Sequence, residues 1–298
     1  MLPSGRRMLP ATGGCTKLQR MQVVRTLPAL RSVCRELRAT RGALALVPTM
    51  GALHDGHRAL VRAAVGSGAA TVTSIFVNPL QFAPTEDLSR YPRDEAGDLA
   101  TLAESGCDLA WLPDVATMYP PDEATTISLT GPAERWEGDA RPGHFRGVAT
   151  VCAKLFGQVR PDRAYFGEKD WQQLQVVIRM VADLLLPLEI VGIPTVREAD
   201  GLALSSRNRF LAPAERDTAP VLFSALTAAS WALSGGTPAE VALAEAQATL
   251  RAAGFDVDYF ALVDGPSLAP LAAGRPGARL VAAARLGTVR LLDNIAAL

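Results

Sequence analysis

The chain of 298 residues is long enough for two domains and carries 30 basic and 30 acidic side chains, a balance that excludes a general attraction to nucleic acid or to an anionic membrane. With 49% hydrophobic and 20% charged residues, its composition is typical of a globular protein and excludes a largely disordered one. No apolar run approaches the roughly 18 residues of a membrane span, and the N-terminal segment lacks a secretory signal. We therefore expect a cytoplasmic protein with no nucleic-acid or membrane partner.

The N-terminal end differs in composition from the rest of the chain. Residues 1–21 contain no aspartate or glutamate, and we expect a flexible N-terminal extension there rather than an organelle transit peptide, which they weakly resemble. Met8 and Met21 remain open as alternative starts of the chain.

From about residue 43, short apolar runs alternate with helical patterns, which predicts parallel strands joined by crossover helices. The predicted strands are ALALVP, TVTSIFV, DLAWLP, RAYFG and LEIVGIPTV. Apolar residues at helical spacing predict helices over residues 57–65, 94–104, 148–158 and 171–185. The fold class expected for residues 22–195 is therefore a Rossmann-like α/β domain with a parallel sheet.

Residues 196–298 change in character, and we expect a smaller α+β domain that acts as a lid. Alanine-rich helices are predicted in TAPVLFSALTAASWAL and in TPAEVALAEAQATLRAAG, the second with Thr237 as its N-cap. VDYFALV and ARLVAAARLGTVRLLD predict strands. The segment READGLALSSRNRFL lies at the join, and ligand sites are common between domains.

The stretch PTMGALHDGH, residues 48–57, contains two of the chain's three histidines. We place it after the first predicted strand and at the start of the first helix, where open parallel sheets usually bind ligands. Unpaired N–H groups and the helix dipole favour an anion there, and glycines allow a close approach of the backbone. His54 and His57 are therefore predicted to face a phosphate.

Other interpretations of these histidines are weaker. A single histidine near the end of an element is usually a surface or capping residue, and we interpret His144 in RPGHFRG as structural. HxxH supplies only two zinc ligands, and no HExxH motif or cysteine pair completes a tetrahedral site. The four cysteines are widely separated and are expected to be free thiols.

Three further polar clusters follow predicted strands, whereas the P-loop, dinucleotide and serine-nucleophile fingerprints are absent. The clusters lie in FVNPLQF, in FGEKDWQQ and in LSSRN. Each alone is weak evidence, since Lys169 and Asp170 could begin a solvated helix and Ser205 and Ser206 could cap one. Because all three follow strands, we expect them to converge at one edge of the sheet.

Taken together, these motifs resemble the pantothenate synthetase family, also called pantoate–beta-alanine ligases. The resemblance runs in order from about Val24 to the C-terminus through PTMGALHDGH, SIFVNPLQF, YPRD, RPGHFRGV, YFGEKDWQQ and DGLALSSRN. HxGH and SSRN are similar to the HIGH and KMSKS signatures that many adenylate-forming nucleotidyltransferases share. FVNPLQF and GEKDWQQ are far less widely shared.

The resemblance implies an ATP-dependent ligase with two steps in one site. The carboxylate of pantoate attacks the α-phosphate of Mg-ATP to give pantoyl adenylate and pyrophosphate, and the amine of β-alanine then displaces AMP to give pantothenate for coenzyme A biosynthesis. The substrate supplies the nucleophile, so catalysis is expected to rest on positioning and on stabilisation of phosphate charge.

The resemblance also assigns roles to residues. The catalytic residues that it implies are His54, His57, Lys169, Ser205, Ser206 and Arg207. Those implied for ATP binding are Met50, Gly56, His57, Phe166, Gly167, Lys169, Asp170, Val196, Leu204, Ser205, Ser206 and Arg207. Those implied for pantoate binding are Met50, Asn78, Gln81, Val148, Val151 and Gln173.

The resemblance further implies a homodimer and a requirement for Mg²⁺. No protein ligand to the metal is assigned, because the acidic stretch after YPR is thin, with Asp94, Glu95 and Asp98. We expect the ATP phosphates and water to hold the ion. The chain departs from the family pattern at Trp171, where many members have tyrosine, and this exchange of rings should be tolerated.

Two other functions remain open on the sequence alone. One is another HxGH-type nucleotidyltransferase, although the zero net charge argues against a tRNA substrate. The other is a nucleotide-binding module without catalysis, which would bind ATP but show no turnover that depends on pantoate.

Overall fold

A computed structural model describes residues 21–83 and 88–297. Their N-terminal part contains, in order, β1 Gln22–Val24, α1 Leu27–Arg41, β2 Leu44–Thr49, α2 Asp55–Gly66, β3 Ala70–Ile75, α3 Glu95–Glu104, β4 Leu109–Trp111, α4 Val115–Met118, α5 Glu137–Ala140, α6 His144–Val159, β5 Arg163–Gly167, α7 Trp171–Asp183 and β6 Glu189–Ile193. The C-terminal part contains α8 Pro213–Thr218, α9 Val221–Ser234, α10 Ala239–Ala252, β7 Asp256–Asp264, β8 Ala278–Leu286 and β9 Val289–Ala296. None of the helices in these ranges is long and apolar enough to cross a membrane.

The six strands of the N-terminal part form one parallel sheet in the order β1-β4-β3-β2-β5-β6. Helices cover both faces of the sheet. Because both faces of β2 are buried, this strand is apolar throughout. Leu44 and Leu46 pack into the cluster beneath α1, α6 and α7, whereas Ala45 and Val47 pack into the cluster beneath α2. This arrangement confirms the expected Rossmann-like α/β fold.

The C-terminal part is a three-stranded antiparallel sheet, β7-β8-β9, covered by α9 and α10. Alanines form much of the contact, including Ala225 and Ala229 on α9 and Ala282 and Ala284 on β8, all at most 2% exposed. Small side chains let the helices approach the sheet closely, which explains the alanine-rich sequence. The expected α+β architecture is therefore confirmed, while the division at residue 195 and the role of a lid remain predictions.

Several local predictions need correction. We did not predict β1 or α1, so PTMGALHDGH follows the second strand and leads into the second helix. Thr237 is not the N-cap of α10, because Pro238 takes that position and the helix begins at Ala239. Helix α6 begins at His144 rather than at residue 148. The predicted N-terminal extension lies outside the described residues except for Met21, which packs against the core.

Candidate active site

The candidate site lies at the carboxyl edge of the parallel sheet. The chain leaves β2 toward β3 on one side, and β5 pairs with β2 on the other, so the connections after β2 and β5 diverge at this point. Such a point is where open α/β sheets bind ligands. A cavity of about 220 Å³ opens there.

This cavity brings together every residue that the sequence analysis assigned to the site. They are Met50, His54, Gly56, His57, Asn78, Gln81, Val148, Val151, Phe166, Gly167, Lys169, Asp170, Gln173, Val196, Leu204, Ser205, Ser206 and Arg207. A second cavity of about 540 Å³, between the two sheets, shares Met50, Gln81 and Lys169 with the first. The two spaces therefore meet at the candidate site.

The two histidines form the N-terminal cap of α2. The Nδ1 atom of His54, the N-cap, accepts a hydrogen bond from the Gly56 N–H at 3.1 Å. The Nδ1 atom of His57 accepts one from the His54 N–H at 3.3 Å. Since an accepting Nδ1 carries no proton, each neutral ring keeps its proton on Nε2. Both rings therefore offer an N–H donor to a ligand at the helix N-terminus.

The surroundings keep both rings neutral. Burial lowers the pKa of His54 to about 4, and the ammonium group of Lys169 acts in the same direction. Burial lowers the pKa of His57 to about 3, helped by the neighbouring His54. The ring centroids are 4.2 Å apart, so two positive charges there would repel strongly. The pair can donate hydrogen bonds at neutral pH without exchanging a proton.

The loop before these histidines is held by Asp98, on α3. Its carboxylate accepts hydrogen bonds from the N–H groups of Ala52 at 2.9 Å and Leu53 at 2.7 Å. Gly51 has φ +85°, and a Cβ there would lie 2.8 Å from the Asp98 carboxylate, so only glycine fits. Burial raises the pKa of Asp98, although the two N–H groups oppose the shift. The sequence pattern suggested for Asp98 only a doubtful role as a magnesium ligand, whereas the structure shows that it shapes this loop.

The side chain of Gln81 presents its amide N–H group to the cavity. The Oδ1 atom of Asn78 accepts from the Leu80 N–H at 3.2 Å and from the Tyr119 hydroxyl at 2.7 Å, so its Nδ2 must be the donor to Gln81 Oε1 at 2.9 Å. Gln81 Nε2 remains as a donor and lies 2.9 Å from the sulfur of Met50. Asn78 lines the cavity, but its amide is occupied in orienting Gln81.

The backbone of Gln81 is held from α6 and the turn before it. The carbonyl of Gln81 accepts from His144 Nδ1 at 2.9 Å and from the Arg141 guanidinium at 3.2 Å. A Cβ on Gly147 would lie 2.3 Å from the Leu80 carbonyl oxygen, so α6 approaches this backbone as closely as glycine allows. These contacts give RPGHFRGV a structural role and agree with the structural interpretation of His144.

Lys169 and Asp170 lie in a 3₁₀ turn, Glu168–Asp170, directly after β5. The Lys169 ammonium is 3.2 Å from the Asp170 carboxylate. Although burial opposes ionisation, Lys169 and Arg207 hold the pKa of Asp170 below its usual range. The turn therefore places a cation and a carboxylate in the cavity of the two neutral histidines, close enough to influence the pKa of both rings.

Ser205, Ser206 and Arg207 follow a small hairpin in which Arg197 pairs with Ala203. Ser205 caps the next 3₁₀ turn, Ser206–Phe210, by accepting from the Arg207 N–H at 3.3 Å. The capping role that sequence alone left open is thus present, and the same residues also line the cavity. Like the two histidines, Ser205 and Ser206 lie at the start of a helical segment and also line the cavity.

Some residues that line the cavity could not be identified from the sequence. Tyr91, whose hydroxyl lies 3.4 Å from the Ser206 Oγ, lines the cavity and was signalled only by its place in YPRD. Phe76, Leu155 and Cys152 complete the apolar side. Their apolar character carries no functional signal, because buried strand and helix residues look the same.

Among residues 21–83 and 88–297, no group of three or more His, Cys, Asp or Glu side chains could hold a metal ion. The donors at the site are instead N–H groups, hydroxyls and cations, which are ligands for anions. The fold and the site together define a Rossmann-like α/β protein with an HxGH motif at a helix N-terminus, an arrangement suited to binding phosphate.

Comparison with known proteins narrows this class. The sequence model of the Pantoate-beta-alanine ligase family matches residues 22–296. Proteins named pantothenate synthetase from Granulibacter bethesdensis and Acidiphilium cryptum are 61% and 60% identical over 277 residues, covering 92% and 93% of this chain and 96% and 100% of their own. The chain therefore belongs to the pantoate–beta-alanine ligase family.

Solved structures agree with this assignment. Pantothenate synthetase from Thermus thermophilus is 50% identical with a TM-score of 0.89, covering 93% of this chain and 99% of its own. Pantoate-beta-alanine ligase from Francisella tularensis, complexed with beta-gamma ATP and beta-alanine, is 30% identical with a TM-score of 0.77. The match covers 93% of this chain and 98% of that protein.

Proposed function

We propose that this chain condenses (R)-pantoate with β-alanine at the expense of ATP, through a pantoyl-adenylate intermediate, releasing pyrophosphate and AMP. The observation that carries the proposal is the pair of neutral histidine donors at the start of α2, facing Lys169 across a cavity that also contains the Gln81 amide. Such a set of donors suits a reaction in which negative charge grows on phosphate oxygens.

In the first step, a carboxylate oxygen of pantoate attacks the α-phosphorus of ATP. A new phosphorus–oxygen bond forms while the bond to the bridging oxygen of the β-phosphate breaks, and pyrophosphate leaves with that electron pair. The Nε2–H groups of His54 and His57 donate to phosphate oxygens from one side. Lys169, Arg207 and the serine pair hold the phosphates from the other side.

Pantoate would lie on the Gln81 side of the cavity. The Gln81 Nε2–H group, freed from the Met50 sulfur, would donate to the carboxylate, and Gln173 would hold the hydroxyls. Val148 and Val151, at 2% and 7% exposure, provide an apolar wall for the geminal methyl groups. Asp170 and Gly167 would meet the ribose, and Phe166, Val196 and Leu204 would flank the adenine.

In the second step, the free amine of β-alanine attacks the carbonyl carbon of the adenylate. The carbon–nitrogen bond forms, the bond to the AMP oxygen breaks, and the nitrogen releases one proton. The larger cavity between the two sheets reaches the same Gln81 and Lys169 and offers a path for this substrate. Exclusion of water by the C-terminal domain would protect the adenylate from hydrolysis.

Magnesium is proposed to arrive with ATP, held mainly by the phosphates and water. When bound, it neutralises phosphate charge and makes pyrophosphate a better leaving group. The donors at the site fit this arrangement, because they hold phosphate oxygens directly and need no carboxylate cage. Omission of Mg²⁺ should abolish turnover, and restoring it should return the full rate.

A homodimer and a cytoplasmic location are also proposed. Both rest on the family, and the three described cysteines, Cys34, Cys107 and Cys152, are free, which fits a reducing compartment. Light scattering at micromolar concentration would test the dimer, since a mass near 31.5 kDa would contradict it.

The deciding experiment is exchange of labelled pyrophosphate into ATP, with Mg²⁺ and pantoate but without β-alanine. Exchange with pantoate and not with control carboxylates is expected, because the first step is reversible in the absence of the amine. No exchange from folded protein that binds ATP would reject the two-step reaction. It would favour another HxGH-type nucleotidyltransferase or a nucleotide-binding module without catalysis.

A further inference from the structure

Two adjacent residues of the C-terminal sheet, Asp293 and Asn294 on β9, reach both chain segments that supply the cations of the site. Both are buried, at 2% and 3% exposure. Asn294 contacts the turn that carries Lys169, and Asp293 contacts the hairpin that leads to Ser205 and Arg207.

Asn294 holds the lysine turn by its backbone. Its Nδ2 donates to the carbonyl oxygens of Glu168 at 2.9 Å and Lys169 at 2.8 Å. The Arg279 guanidinium donates to the Asn294 Oδ1, and since arginine can only donate, this contact fixes which end of the amide faces the turn. Arg279 is itself stacked 3.7 Å above the Trp171 ring. Because this stacking fixes the guanidinium, its hydrogen bond holds the side-chain amide of Asn294 in one orientation.

Asp293 holds the hairpin by an ion pair. Its carboxylate accepts two hydrogen bonds from the Arg197 guanidinium, at 2.6 and 2.9 Å, with the Asp293 side chain only 3% exposed. Arg197 also donates to the Gly201 carbonyl at 3.0 Å and lies 3.9 Å above the Phe223 ring. From this anchored hairpin the chain passes through Leu204, whose N–H bonds to the Val196 carbonyl at 3.0 Å, to Ser205.

The dipeptide is itself rigid. The Asn294 N–H donates to the Asp293 carboxylate at 2.7 Å, and β9 pairs with β8 along its length. One buried unit thus contacts the turn that carries Lys169 and, through Arg197, the hairpin that leads to Ser205, and Lys169 and Ser205 line the same cavity.

We propose that Asp293 and Asn294 are positioning residues that hold Lys169 and the Ser205–Arg207 segment at the separation that the ATP phosphates require. The inference rests on the proposed function, since it assumes that both segments bind phosphate. Both residues border the larger cavity between the two sheets, but neither lines the smaller cavity that contains the histidines and Lys169. Each acts through a neighbour, and the C-terminal domain contributes to catalysis through them rather than only by covering the site.

The test uses Asn294→Asp, which is isosteric, keeps an acceptor for Arg279 and removes both donors to the turn. A displacement of the reacting groups by about 1 Å costs on the order of 10²-fold, so we expect that loss in the kcat of pantoate-dependent pyrophosphate exchange. The KM for pantoate should change less than threefold. Asn294→Ala, which adds no charge, replaces it if the aspartate variant fails to fold.

The decisive comparison is made in a Lys169→Ala background. If Asn294 acts through Lys169, then Asn294→Asp should lower the remaining exchange rate less than threefold there. A full repeat of the loss in that background would overturn the proposal. If Asp293 acts through the segment that carries Arg207, the loss of exchange rate caused by Asp293→Asn should likewise nearly vanish in an Arg207→Ala background.

A structural control separates positioning from general weakening. Leu280→Ala removes a fully buried side chain from the same sheet without touching either segment. It should lower Tm at least as much as Asn294→Asp and leave the exchange rate of folded protein within twofold. If exchange simply followed Tm in all variants, the positioning role would be rejected.

Binding of a non-hydrolysable ATP analogue distinguishes failure of this proposal from failure of the proposed function. The Kd should rise about tenfold in Asn294→Asp and not in Leu280→Ala, whether or not pantoate is the second substrate. Absence of pantoate-dependent exchange in the unmodified protein would reject the function alone. An unchanged Kd in Asn294→Asp, together with normal exchange, would reject the positioning role alone.

Discussion

Gly147→Ala should impair use of pantoate more than use of ATP. A Cβ at this position would lie 2.3 Å from the Leu80 carbonyl oxygen and 2.6 Å from the Gln81 nitrogen, whereas ordinary contacts begin at 3.4 Å. The opposing atoms are backbone, so α6 and the segment carrying Gln81 must separate by about 1 Å, which typically costs on the order of 10²-fold. We expect that loss in kcat/KM for pantoate and a loss of stability of roughly 1–3 kcal/mol.

Gly157→Ala is the matched control, because it lies on the same helix, is exposed and has nothing within 4 Å of the added Cβ. Alanine is the better helix former, so this variant should keep its activity and gain up to about 1 kcal/mol. Steady-state kinetics with each substrate varied in turn, and unfolding in urea, give both quantities. A kcat/KM for pantoate within threefold of that of the control would refute the argument.

Three further outcomes follow from the site. Lys169→Ala should lower kcat by about 10²- to 10³-fold, since a donor to transition-state charge is lost; a loss below fivefold in folded protein would contradict its role. Asp98→Asn should destabilise the protein by roughly 1–3 kcal/mol in urea unfolding, because one of the two loop N–H groups then meets an amide N–H; an unchanged midpoint would contradict the contact. The pKa of His57 is about 3 in the folded protein, whereas its ordinary value is near 6.5. The folded state therefore binds fewer protons than the unfolded state, so the protein loses stability as the pH falls below about 6.5. Relative to His57→Asn, which does not titrate, the unmodified protein should therefore lose about 2 kcal/mol between pH 7 and pH 5, and parallel stability curves would show that His57 is not held neutral.

The polar part of the site could be predicted from sequence because its residues follow strands. His54 follows β2, Asn78 follows β3 and Lys169 follows β5, and parallel strands bring their carboxyl ends to one edge. The continuous apolar run of β2 and the alanine-rich helical patterns of the C-terminal part also carried enough signal to predict the two architectures.

The supporting residues could not be predicted, because they act across long separations. Asp98 contacts a loop some forty-five residues earlier, and nothing in its local pattern distinguishes it from a solvated helix residue. Ala52 takes a positive φ of 53° although it is not glycine, which the sequence does not reveal. Strand β1 has only three residues and depends on pairing with β4, so its local pattern is too short to be decisive.

Two tryptophans join the halves of the molecule and make their separation observable. The indole N–H of Trp171 donates to the Gly265 carbonyl at 2.7 Å, and that of Trp136 to the Leu268 carbonyl at 3.0 Å, both in the turn after β7. If the halves parted, both indoles would exchange these carbonyls for water, and their emission would shift to longer wavelength. Trp111 is fully buried in the first core and Trp231 is 77% exposed, so neither should respond. The fluorescence of Trp136 and Trp171 would therefore report any separation of the two halves of the molecule.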